Sequence, residues 1–129
     1  MKLIPDKQLL QKAIQLDALT AALAHGLSYD KFLLRHYKYW AFDHEITHSL
    51  LEDTKIILES LKKLSKIQCK NERFSMLKNI QNMTNNIYSY CRGLEYHSLE
   101  NKDYLGVYRK ELTIFSAFFQ KYFKAHTIH

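Results

Sequence analysis

The sequence is short of the residues that make turns. It contains 3 Gly and 1 Pro in 129 residues, where average usage would supply about 15 of the two together. Tight turns between strands lean on both residue types, so a sandwich, a barrel or another all-β design is excluded. Cysteine is scarce too: Cys69 and Cys91 make no disulfide framework, and a reducing compartment is expected. No run of about 18 uncharged apolar residues occurs, so no membrane span and no membrane partner is expected. The opening stretch from Met1 to Lys12 has neither a long apolar core nor a small-residue cleavage site, so no secretory signal is visible. These absences make a cytoplasmic location the expectation.

What is present points to a folded helical chain. Hydrophobic residues make up 47%, with 9 Tyr, 7 Phe and 1 Trp. That much apolar surface offsets the entropy of ordering and excludes disorder. The length suits one domain, residues 1–129. Lys and Arg number 19 against 13 acidic residues, a net charge of +6 that favours anionic partners.

Apolar residues recur at helical spacing. From Asp6 to His25 the stripe is Leu9, Ala13, Leu16, Leu19 and Leu23, with Pro5 at the first turn and Gly26 just past the end. Ser28 reads as the cap of a second segment reaching Ile67, with Asp30 in its first turn. In it Tyr37, Trp40, His44, His48 and Leu51 share a face, and Leu58, Leu61 and Leu64 continue a stripe. Some 40 residues of unbroken helix would reach about 60 Å, so a bend or break is expected between Thr47 and Thr54. Asn71 reads as the next cap, followed by Phe74, Leu77, Ile80, Met83, Ile87, Tyr90, Leu94 and His97. A polar linker, Glu100 to Asp103, precedes a last helix to Ala125 with the stripe Tyr104, Tyr108, Leu112, Phe115, Phe119 and Tyr122. The expected fold is all-α, a single-domain up-and-down bundle of four or five helices.

One segment, His44-Glu45-Ile46-Thr47-His48, spells H-E-x-x-H. Residues four apart share a helix face, so both imidazoles can reach one zinc, and the glutamate can serve as base on its water. The segment resembles the zincin metalloprotease motif. Asn71-Glu72-Arg73-Phe74-Ser75 is similar to the N-E-x-x-S signature of the thermolysin-like branch. That resemblance implies zinc held by His44, His48 and Glu72, with Glu45 catalytic. Zincins also lay substrate along a sheet edge, whereas the residues before His44 read as helix. On the alternative reading, His44 and His48 are core histidines lining the inner face with Trp40 and Leu51. A di-iron bundle would need a second Glu-x-x-His beside Glu45 and His48. None of Glu52, Glu59, Glu72, Glu95, Glu100 and Glu111 has a histidine three residues on.

A second pattern is Arg92 followed by His97 near the end of the third helix. With the all-helical content and chain length, it resembles the HEPN ribonuclease domain. The resemblance implies His97 as base toward a 2′-hydroxyl and Arg92 as the group steadying phosphate charge. Gly93 stands where that family carries a polar residue. The alternative places His97 in the core beside Tyr90 and Leu94.

Charge is unevenly spread. Lys62, Lys63, Lys66, Lys70, Arg73 and Lys78 gather around the expected second turn with only Glu72 among them. The first five are the candidate contacts for nucleic acid, although Phe74, assigned to the apolar stripe, leaves no aromatic platform between them. Ile114, Phe118 and Phe123 widen the apolar arc of the last helix beyond one stripe, which suits a central helix or one shared with a second subunit. The sequence therefore reads foremost as a regulatory or adaptor bundle without a cofactor, binding a protein partner or a second copy of itself. The zinc protein and the ribonuclease are its rivals.

Overall fold

The computed structural model describes residues 7–29, 37–97 and 102–127, with side chains at 7–25, 45–96 and 103–126. Four helices occupy these spans: α1 (Lys7–Tyr29), α2 (Tyr37–Leu64), α3 (Lys70–His97) and α4 (Lys102–Thr127). No strand occurs among the described residues. Each of the three longest helices spans roughly 40 Å. The five residues joining α2 to α3 cannot run back along that length, so the two helices are antiparallel. α1 packs on α2 and α4, and α3 packs on the same two helices, a square of neighbours in chain order. This is the up-and-down bundle expected, with four helices among the described residues.

One rule of spacing builds the core. The buried seam runs through Leu9, Ala13, Leu16, Thr20 and Leu23 on α1, and Thr47, Leu50, Thr54, Ile57, Leu61 and Leu64 on α2. It continues with Leu77, Ile80, Thr84, Ile87, Cys91 and Leu94 on α3, and Leu105, Tyr108, Leu112, Phe115, Phe119 and Tyr122 on α4. Every step is three or four residues in alternation, the 3.5 period that keeps one edge of each helix turned to its neighbours. Threonines on the seam satisfy themselves. Thr20, Thr54 and Thr84 donate to the carbonyls of Leu16, Leu50 and Ile80 four residues back, at 2.7, 2.9 and 2.8 Å.

Several sequence expectations are corrected. α2 is continuous, with no break between Thr47 and Thr54; a seam of period 3.5 lets a long helix stay packed without breaking. α1 runs through Gly26 to Tyr29, so Gly26 does not end it and Ser28 lies inside it rather than capping α2. α2 closes on three-residue bonds, Lys66 N–H to Lys63 O at 2.9 Å and Ile67 N–H to Leu64 O at 3.3 Å. α3 opens with Arg73 N–H on Cys69 O at 3.0 Å, so Asn71 sits within the first turn, not at the cap. Pro5, Asp30, Glu100 and Asn101 lie outside the described residues.

Candidate functional site

The H-E-x-x-H segment lies wholly within α2. Its inward residues are Ile46 and Thr47, followed by Leu50, all buried. Glu45 is exposed. His48 is 68% exposed, with Nε2 3.2 Å from Glu52 Oε1 one turn on. His48 is therefore not a core histidine: the seam fixes which edge of α2 turns inward, and His48 falls one position outside it. The side chains of His44, Tyr37 and Trp40 lie outside the described residues. Sixteen residues, about 24 Å of helix, separate His48 from the end of α2. Glu72 sits just beyond that end, in the first turn of α3. The fold thus holds Glu72 more than about 20 Å along the bundle from positions 44 and 48 and does not assemble the three-ligand set. Among the described residues no group of three His, Cys, Asp or Glu side chains is placed to hold a metal ion.

Arg92 is exposed on α3, and the side chain of His97 lies outside the described residues. Five residues of helix put positions 92 and 97 about 140° apart around the axis, so they do not share a face. Between them, Glu95 accepts from Arg109 of α4 at 3.3 Å, a strut between α3 and α4.

A buried polar layer crosses the bundle. Thr20 Oγ1 stands 2.7 Å from Tyr108 Oη, and since its own proton goes to Leu16 O, the phenol is the donor. Burial pushes the Tyr108 phenol far above the usual tyrosine range, and the Thr20 bond only partly opposes this. The Thr54 hydroxyl also lies 3.3 Å from the Asp17 carboxylate of α1, which competes with Leu50 O for its single proton. Cys91, fully enclosed, has its thiol pushed up to about 12 by burial and by Glu95, against Arg109. Such a thiol is unreactive. Cys69, by contrast, is exposed. Asp53, flanked by Glu52, is raised by partial burial and that neighbouring charge.

The candidate interface residues on α4 divide between two flanks. Phe123 turns toward α3, with its ring 6.1 Å from Phe74 and 5.9 Å from Phe119. Ile114 and Phe118 lie on the opposite flank, half-buried. Val107 extends the same line at 55% exposed, and Tyr104 stands beside it at 39%. Val107 was not singled out by the sequence reading, although its spacing of seven from Ile114 was a signal for it.

The four helices bring positive charge to one end. Lys62, Lys63 and Lys66 from the end of α2, and Lys70 and Arg73 from the start of α3, are joined there by Lys7 of α1 and by Lys121 and Lys124 of α4. Residues 7–12, 59–78 and 121–127 hold ten of the 19 Lys and Arg residues but only two of the 13 acids. Nine cations and eleven acids remain elsewhere, so this end carries all of the net positive charge. Its α1 and α4 members are legible only once helix order is known. Phe74 is 45% exposed rather than part of the buried seam, and the Lys78 ammonium lies 6.0 Å from its ring centre. An aromatic surface does interleave these lysines, contrary to the sequence expectation.

No helix among the described residues is long and apolar enough to cross a membrane. Compared with models of known families, with curated proteins and with solved structures, the chain matches none.

Proposed function

We propose that this chain is a non-catalytic interaction module, a rigid helical bundle that works by pairing with a second copy of itself. The observation that carries the reading is the outer flank of α4. Val107, Ile114 and Phe118 repeat at steps of seven and four, the spacing of a helical seam, on a helix whose core seam is already full. The strip runs about 17 Å. A straight apolar strip on one helix is self-complementary about a two-fold axis, because the same patch serves both partners. The partly exposed Tyr104 adds a ring of the kind enriched at interfaces.

Sedimentation between low and high micromolar concentration tests this. The unaltered chain is expected to pass from monomer to dimer. Ile114→Glu is expected to weaken the dimer at least tenfold while lowering the melting temperature of the monomer by only a few degrees, because Ile114 is half-buried outside the core seam. A chain that stays monomeric at high micromolar concentration would sink the reading.

A further inference from the structure

Three features meet at the basic end of the bundle. The first is charge drawn from all four helices: Lys7, then Lys62 and Lys63, Lys70 and Arg73, and Lys121 and Lys124, with Lys66 on the connection. Among the described residues Lys62, Lys63, Lys66, Lys121 and Lys124 form no ion pair with an acid. They therefore keep their full field toward solvent. The second is Phe74, in the second turn of α3 at that same end, with nearly half its surface open. Its placement follows from spacing. Leu77 and Ile80 hold the inward edge of α3, and Lys70, Phe74 and Lys78, four apart, form a line beside it. The third is support: Phe123 of α4 lies against Phe74, and Phe119 lies behind Phe123. The exposed ring is thereby braced and loses little freedom when something stacks on it.

Cations alone would suit any polyanion. An aromatic ring held among lysines suits one whose charges and flat apolar faces alternate along a strand. We propose that this end of the bundle binds single-stranded nucleic acid, with a base stacked on Phe74 and the flanking phosphates on the lysines. Duplex DNA hides its base faces and offers only phosphates to this surface. An acidic protein surface or an anionic lipid headgroup offers no base to stack. Stacking on one ring is sequence-tolerant, because every base has a flat face, so no base preference is expected. The Lys78 ammonium lies over the Phe74 ring, 6.0 Å from its centre, and on its long flexible stem it can swing off that face to meet the phosphate of a base that stacks there.

Fluorescence anisotropy with a labelled 20-nucleotide single strand and its 20-base-pair duplex tests the proposal at 50 mM salt. The single strand is expected to bind in the micromolar range and more tightly than the duplex. With about five phosphates neutralised, the logarithm of its affinity should fall against that of salt with a slope near −3.5. Lys62→Glu with Lys63→Glu should abolish binding of both. Phe74→Leu keeps an apolar side chain against Phe123 and should weaken the single strand about tenfold without touching the duplex, and Phe74→Trp should restore it. Circular dichroism confirms that each variant is folded. No anisotropy change at 50 µM protein overturns the proposal. So does a duplex bound as tightly as the strand, an affinity indifferent to Phe74→Leu, or a preference for phosphatidylserine vesicles over the strand.

Discussion

Along α4, Leu105, Tyr108, Leu112, Phe115 and Phe119 are covered completely, whereas Val107, Ile114 and Phe118 on the adjoining flank stay partly open. The two sets draw on similar residue types and in places stand next to each other in the chain. What separates them is register. A residue on the 3.5 period faces both neighbouring helices, and the residue beside it, about 100° round the axis, faces one at most. The same division runs along α2, where Leu50 is buried and His48, two positions earlier, is mostly in water. Apolar character therefore does not by itself mark the core of this chain; position relative to the seam does.

The sharpest way to break the comparison is to truncate one residue on each side of it. Phe115→Ala is expected to cost about 3–5 kcal/mol, from lost burial and the cavity left among the other seam residues. Ile114→Ala, one residue away, is expected to cost less than about 1 kcal/mol in the monomer. Denaturant unfolding of both variants reads the difference, and equal losses would mean that the seam is misplaced. A smaller effect is expected at the polar layer. Thr20→Val keeps the shape of the side chain but leaves the Tyr108 hydroxyl enclosed without its acceptor, at about 1–3 kcal/mol. Adding Tyr108→Phe to Thr20→Val should recover part of that loss, which a double-mutant cycle measures. The smallest change is a gain. Gly106 is helical and exposed, and a Cβ built there meets nothing within 4 Å. Gly106→Ala should therefore stabilise α4 by about 0.5–1 kcal/mol, seen as a raised melting temperature.

The bundle itself was legible because Gly and Pro are scarce and apolar residues recur at helical steps. The register was harder. Helical spacing of large apolar residues points to Leu19, Met83, Tyr90 and Tyr104 as inward, positions that Thr20, Thr84, Cys91 and Leu105 in fact hold. Large apolar residues draw the eye, yet a small residue fits better where helices approach closely, and a threonine there needs no outside partner once it bonds its own helix. Strict alternation of three and four would have selected Thr20, Thr84 and Cys91. On α2 the same bias put His48 on the inward edge, which Thr47 and Leu50 hold instead. The basic end was half legible. Its α2 and α3 members are contiguous in sequence, but Lys7, Lys121 and Lys124 join them only through the antiparallel order of the helices. Phe74 was hidden for the opposite reason, since at helical spacing it passes for one more core residue.

The two thiols give this chain a practical asymmetry. Cys91 is enclosed and held protonated, while Cys69 stands open on the connection between α2 and α3. A maleimide dye added to the folded protein will therefore mark one position without any engineering. That position is at the charged end, within a few residues of Lys66, Lys70 and Phe74. The unmodified chain thus brings its own attachment point for an optical reporter, placed where an arriving ligand would change the light it emits.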